Sequence, residues 1–542
     1  MALNASSFEI LIPSRFITFT IPHPTCSNSP LRVAVLDSPL QFSDSPQVGA
    51  MLVPEGRETD WIFSTELGHL QLLFSAPEIS RLILIGNHFK EGTLTSPSCV
   101  YHRPLECSFH LKGFHVWSKP LLLALSPRSL FQSGIPEIPL LSYEDNLVSS
   151  LVVHECVGGY VGEMLVEDVE IENGGGVLHH GREFRRRLRF KRMPNLIQTE
   201  ICIVPERDGA VCIGDDVGFV PDVKVLVHPY LGPMVAGLVL NSGYVEGRIR
   251  NGFRPKALCL GVGGGALVTF LRTQLGFEVM GVDSDREVLR VARKYFGLED
   301  NEFIQLVVGD AFESMKKLAC HGKLQDDCEV NGFGDHLVED EVNHEFDVVM
   351  VDLDSSNVRN GGSSPPLEFV RKDVLLDAKL VLSEFGILAI NVIPPSRLFY
   401  DNLVNHFREV FHDLYKIDVG NGENFVLIAT ASPLVFSVGD CGNSFLKRLK
   451  LVIPEAELSS RLQSKHWNYI HVIKSSGFAS CSGSSCFSKV LRSFISFQLL
   501  PSMKGWDPDW PAIQKACNHA VDNLDPEKMI SVNNNLQTLK QL

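Results

Sequence analysis

Two carboxylates, Asp352 and Asp354 in the run VDLDSS, follow the apolar segment Phe346 to Val351, and an amide, Asn391, follows a second apolar segment, Gly386 to Ile390. Residues of these types at the ends of apolar runs suit chemistry on an amine. An amine attacks an electrophilic carbon only through a neutral, aimed lone pair, so a site must hold the nucleophile and accept or relay its proton. Asp352 is suited to orient the amine, Asp354 to attract its charged form, and Asn391 to accept a hydrogen bond from it. An ordinary strand-terminal turn residue is the alternative reading of each. The scheme requires no metal, and no paired CxxC or histidine companion suggests one.

Upstream lies a second set of candidates. The run ALCLGVGGG brings an apolar segment, Ala257 to Leu260, into Gly261, Gly263, Gly264 and Gly265, where backbone can approach a ligand that any Cβ would exclude. A helix over Ala266 to Leu275 and a strand over Phe277 to Val282 then deliver Asp283 about twenty residues after the first glycine, the spacing of a ribose-binding carboxylate. Such a group accepts from both ribose hydroxyls and repels a 2′-phosphate. A third strand, Phe303 to Val308, ends in Gly309, Asp310 and Ala311, where Asp310 can meet the exocyclic amine of adenine. Three strand ends of this kind indicate an adenosyl cofactor. Because ligands of open α/β sheets sit outside the carboxyl ends of the strands, Gly263, Asp283, Asp310, Asp352 and Asn391 are expected to converge on one crevice.

The elements that would position these residues follow from pattern. Phe346 to Val351 and Gly386 to Ile390 are the fourth and fifth strands, and residues 398 to 411 carry apolar positions at helical spacing. Leu414 to Val419 and Asn424 to Thr430, separated by GNGE, form an antiparallel hairpin. A late hairpin on an otherwise parallel sheet indicates a Rossmann-like α/β fold of the class I methyltransferase type, parallel with one antiparallel closing strand. Before it, short apolar runs at residues 31 to 36, 50 to 53, 61 to 63 and 81 to 86 predict a β-rich accessory region. The acidic run EMLVEDVEIE and the basic run EFRRRLRFKR suggest paired strands, with Glu167, Asp168, Glu170 and Glu172 opposite Arg185, Arg187, Arg189 and Lys191. Each such exposed pair is worth at most about 1 kcal/mol. Pro194 to Val204 and Leu231 to Leu240 supply a strand and a helix to roof the pocket. The expected divisions are an extension over 1–30, the accessory region over 31–193, the roof over 194–250, the cofactor domain over 251–434 with an acidic insertion at 320–345, and a second extension over 435–542.

With 542 residues the chain needs more than one core. Its formal charge of −15 disfavours a general nucleic-acid binder and suits a basic protein partner. Thirteen cysteines without paired spacing indicate neither a disulfide framework nor a zinc site. No apolar run is long enough to span a bilayer, and the amino terminus lacks a basic stretch ahead of a hydrophobic one, so a cytoplasmic protein without membrane attachment is expected. The oligomeric state is open, a dimer included.

The blocks GVGGG, VDSD, GDA and VDLD, preceded by a strand bearing Gln198, resemble the spermidine-synthase-like class of adenosylmethionine enzymes. Further blocks, among them VAVLDSP (33–39), MLVPEGRETDWIF (51–63), LVEDVEI (165–171), FRRRLRF (184–190), NLIQTE (195–200), MVAGL (234–238), VDLDSSN (351–357), PPLEFV (365–370) and GENFVLIA (422–429), are similar to the dual methyltransferases of translation elongation factor 1-alpha. That family joins a domain acting on a lysine of the factor to one acting on its amino-terminal α-amine, and the blocks match the second. No glycine-rich strand end resembling 261–265 precedes it, so the lysine activity is not carried over. The resemblance implies methyl transfer to a protein amine, with S-adenosyl-L-methionine held by Gln198, Gly261, Gly263, Gly264, Gly265, Asp283, Asp310 and Ala311, and Asp352 near the amine. Polyamine synthases carry a DSSD-like run where this chain has DLDSS. An aminopropyltransferase, a nicotinamide dehydrogenase and a non-catalytic interaction protein are the competing readings.

Overall fold

The computed structural model describes residues 8–453, apart from 24–29, 41–45, 89–99, 105–116, 133, 173–181, 208, 210, 327–344, 356–363, 421–423 and 434–441, together with residues 470–472. The loop between the acidic and basic runs, most of the acidic insertion, Ser356, the centre of the late hairpin and nearly all of the second extension lie outside these residues.

Strands β1 (Phe16–Ile21), β2 (Leu31–Asp37), β3 (Val48–Leu52), β4 (Arg81–Asn87), β5 (Tyr101–His102), β6 (Leu140–Leu141), β7 (Leu147–Gly158), β8 (Gly162–Glu172), β9 (Arg182–Phe190), β10 (Ile197–Pro205) and β11 (Phe219–Asp222) precede the glycine loop. After them come β12 (Lys256–Leu260), β13 (Glu278–Asp283), β14 (Ile304–Val308), β15 (Phe346–Val351), β16 (Leu382–Val392), β17 (Asp413–Asp418), β18 (Phe425–Thr430) and β19 (Ile470–Val472). They form three sheets, ordered β1-β2-β4-β3-β6, β11-β10-β9-β8-β7-β5 and β14-β13-β12-β15-β16-β18-β17-β19.

The first sheet is mixed. β1, β2 and β4 pair antiparallel, while β3 runs parallel to both β4 and β6. The segment Trp61 to Phe63, expected as a strand, is instead the short helix α1 (Trp61–Ser64), followed by α2 (Glu66–Phe74). Its aromatic and β-branched residues favour a strand, but the caps decide the outcome. Asp60 accepts from the Ile62 amide at 3.0 Å and Thr65 from the Gly68 amide at 3.0 Å, satisfying donors that open each helix.

The second sheet is antiparallel throughout, and β10 and β11 extend it beyond the strands carrying the acidic and basic runs. Those runs pair as expected, with different partners and little exposure. Asp168 receives Arg186 at 2.6 and 2.8 Å, Glu170 receives Arg182, and Glu167 lies 3.4 Å from Arg189. Arg185 and Arg187 both turn to Glu200 on β10, at 2.7 Å each, and Lys191 pairs with Glu163. Because β9 is central, its arginines serve both neighbouring strands, and Arg186 also donates to the Tyr295 carbonyl. The Arg186–Asp168 and Arg189–Glu167 pairs are buried on both sides and are interior ion pairs, whereas Arg182 and the Lys191–Glu163 pair stay exposed.

In the third sheet β14, β13, β12, β15 and β16 run parallel, β18 is antiparallel to β16, and β17 pairs antiparallel with β18. This is the expected methyltransferase-type sheet with its closing hairpin; β19 adds a further strand beyond β17. The apolar runs of β12, β15 and β16 are buried on both faces, which is why they lack alternation. On one face Leu258, Val349, Leu388 and Leu427 pack with Leu375 of a helix at Lys372–Leu380 and Leu403 and Phe407 of one at Arg397–Val410. Among the described residues no helix is long and apolar enough to cross a membrane.

Candidate active site

Carboxyl ends of β12, β13, β15 and β16 open onto a cavity of about 880 Å³, roofed by β10 and by the segment His228 to Leu231. Its floor is the glycine loop. Gly261 has φ +86°, and a Cβ there would lie 2.1 Å from the Asp352 carbonyl oxygen, so only glycine lets this loop reach the end of β15. The Val262 and Gly263 amides both donate to Asp283 Oδ2 at 3.1 Å, and the Asp285 amide donates to Oδ1 at 3.0 Å. Burial raises the Asp283 pKa, with these amides opposing it. Asp310 also lines the cavity while its Oδ1 accepts from the Glu313 amide, and Ala311 stands beside it.

The amine end is built around Asp352. Tyr230 donates its hydroxyl to Oδ2 at 2.9 Å and Asn391 its amide to Oδ1 at 3.2 Å. Desolvation lifts the Asp352 pKa to about 6; the Tyr230 and Asn391 bonds oppose that rise and the neighbouring Asp354 adds to it. Asn391 differs from expectation: its nitrogen holds Asp352, and its oxygen accepts from Asn424 Nδ2 at 3.2 Å. Asp354 is not a bare carboxylate either, since Arg192 Nη2 reaches both its oxygens at 3.2 and 3.3 Å.

Gln198, Gly261, Gly263, Asp283, Asp310, Ala311, Asp352, Asp354 and Asn391 therefore share one cavity wall, whereas Gly264 and Gly265 do not line it. These two serve packing. The Gly264 amide donates to Thr199 Oγ1 at 2.7 Å, and Cβ atoms at 264 and 265 would press on Phe296 and Leu298.

Tyr230, Arg192, Thr199 and His228 were not among the sequence candidates. Tyr230 stands immediately before the apolar helical stretch expected to roof the pocket, but no spacing links it to Asp352, 122 residues away. Arg192 was absorbed into the basic run. His228 stacks on Tyr230 with centroids 5.4 Å apart, and desolvation lowers its pKa to about 4, so it is neutral near pH 7. Among the described residues, three nitrogens of cavity-lining side chains, Arg192 Nε, Gln198 Nε2 and His228 Nε2, are buried without a hydrogen-bond partner.

No known family profile matches the chain. The sequence is 26% identical over 415 residues to the eEF1A lysine and N-terminal methyltransferase of Xenopus laevis, covering 72% of this chain and 52% of that protein. The human protein of the same name is 24% identical over 426 residues, covering 74% and 53%. A polyamine aminopropyltransferase of Vibrio vulnificus is 25% identical over 211 residues, covering 38% and 58%. The resemblance drawn from the motifs is borne out, and the chain spans about half the length of the curated methyltransferases it matches. Among solved structures, human methyltransferase-like protein 13 with SAH gives a TM-score of 0.32 at 21% identity, covering 48% of this chain and all of that one. The strand order and direction of the third sheet define the fold.

Proposed function

We propose that this chain is an S-adenosyl-L-methionine-dependent methyltransferase acting on a protein amine, with the amino-terminal α-amine of translation elongation factor 1-alpha as its substrate. The observation that carries the proposal is Asp352: a carboxylate beside the glycine loop, held by Tyr230 and Asn391, with its pKa raised to about 6. The relatives of Xenopus laevis and human are named eEF1A lysine and N-terminal methyltransferase, which supports this reading.

The glycine loop and Asp283 fit an adenosyl group, because Gly261, Gly263 and the Asp283 carboxylate line the same cavity, with the loop amides fixing that carboxylate. Gln198, Asp310 and Ala311 complete the set that would hold the cofactor. When bound, adenosylmethionine supplies a sulfonium-activated methyl group. Asp352 orients the incoming amine and takes the proton of its ammonium form, Tyr230 and Asn391 fix the carboxylate, and Asp354 with Arg192 borders the entry. An α-ammonium has a pKa near 8, about two units above that of Asp352, whereas a lysine ammonium lies more than four units above it. Proton removal here is easier from the α-amine. The reading sets the enzyme in the cytoplasm with its substrate and requires neither nucleic acid nor membrane.

The test is incubation of wild type and Asp352→Ala with methyl-labelled adenosylmethionine and a proteome extract. Asp352-dependent label in a single band of the size of elongation factor 1-alpha supports the proposal. Absence of adenosylmethionine binding by calorimetry would sink it.

A further inference from the structure

The cavity carries six carboxylates, Glu200, Asp283, Asp310, Asp352, Asp354 and Glu368. Among the described residues that line it, Arg192 is the one permanent cation to set against them, because His228 is neutral near pH 7. This imbalance suits a donor bearing a sulfonium and an ammonium. It suits a carboxylate at one place only. The turn after β9 supplies Arg192 and the start of β10 supplies Gln198; both residues line the cavity, the Arg192 side chain is 20% exposed, and Nε of the arginine and Nε2 of the amide have no hydrogen-bond partner among the described residues. An ionised carboxylate is an acceptor-only group that N–H donors of both side chains can meet. Arg192 is engaged by Asp354 through Nη2, and its guanidinium carbon lies 5.2 Å from the Phe190 ring centroid.

We infer that Arg192, assisted by Gln198, is the specificity-determining residue that reads the methionine carboxylate of the donor and so selects adenosylmethionine over its decarboxylated form. The inference rests on the proposed function and assigns how that site chooses its chemistry. The two donors share the adenosyl and sulfonium parts and differ in this carboxylate, so a methyltransferase and an aminopropyltransferase built on one sheet are separable at this position. Glu200 does not compete for Arg192, because Arg185 and Arg187 already engage it.

Calorimetry on the full chain tests this with three ligands: adenosylmethionine, decarboxylated adenosylmethionine, and methylthioadenosine, which lacks the amino-acid tail. Wild type is expected to prefer adenosylmethionine to the decarboxylated donor by about tenfold or more. Arg192→Gln is expected to lose that preference by weakening adenosylmethionine alone, with methylthioadenosine binding retained as the sign of an intact fold. Gln198→Leu is expected to lower the same ratio by a smaller factor, and provides an independent arm if the arginine variant does not fold. A preference unchanged in the folded variants overturns the inference while leaving the methyltransferase reading intact. If wild type binds neither donor, or prefers the decarboxylated one, the methyltransferase reading falls as well.

Discussion

At the scale of single residues, the proposed reaction depends on a carboxylate that is reluctant to ionise. Desolvation sets Asp352 at about 6, so its basic form is lost below that pH and gained above it. The kcat/KM profile should therefore rise as pH increases through about 6 and then level. Tyr230→Phe removes a hydrogen bond that favours the ionised form, and should move this limb upward by about one pH unit, with the fold unchanged. A limb that stays in place would show that another group sets it. Asp352→Asn should lower kcat by about a hundred- to ten-thousand-fold. The same variant should melt higher than wild type near neutral pH, because it removes a charge whose ionisation the folded state opposes.

Elements bring these residues together through a few close approaches. The glycine loop meets β15 so tightly that Gly261→Ala, with a Cβ 2.1 Å from the Asp352 carbonyl and an unfavourable φ, should abolish adenosylmethionine binding and cost about 1–3 kcal/mol of stability, read by calorimetry and by urea denaturation. Much of this level was legible in the sequence. The parallel strands are apolar runs that stop at glycine or aspartate, and the run from Phe346 to Val351 matches β15 residue for residue. β16 runs from Leu382, four residues before the expected start, because Ser383 and Glu384 break the apolar pattern without breaking the strand. Ser383 is in fact bonded to Asp347 at 3.3 Å. The helix at Trp61 was obscured because its caps, not its body, determine it. Tyr230 and Arg192 were out of reach for another reason: their roles come from tertiary convergence across more than a hundred residues, which no local period encodes. Asp285 belongs with them, since it binds the Tyr160 and Val161 amides at 2.7 and 3.1 Å and so ties the β7–β8 turn to the cofactor sheet.

For the whole molecule, interior charges join the sheets. Asp60 receives Arg57 at 2.7 Å within the first sheet's unit and Arg189 at 2.7 Å from the second sheet. Burial would raise its pKa, but Arg189 and Arg57 outweigh burial and hold it at about 2, below the ordinary 3.8. Its contribution of about 2 kcal/mol is therefore present above pH 4 or so and is lost as pH falls through about 2. Asp60→Asn should remove at least that much at pH 7 and flatten the acid side of the stability curve, measured by urea denaturation over a pH series. An unchanged acid limb would show that the link between the two sheets is carried elsewhere. Thr199 of β10 accepts from the Gly264 amide of the glycine loop, so the cavity depends on the second sheet as well as the third. The most direct test of the methyltransferase account is mass spectrometry of the amino-terminal peptide of elongation factor 1-alpha after incubation with the purified chain and adenosylmethionine. The account predicts methyl groups on the α-amine, absent with Asp352→Asn and absent when that amine is blocked by acetylation. Transfer confined to lysine side chains, or an unmodified peptide from an enzyme that binds the donor, would contradict it.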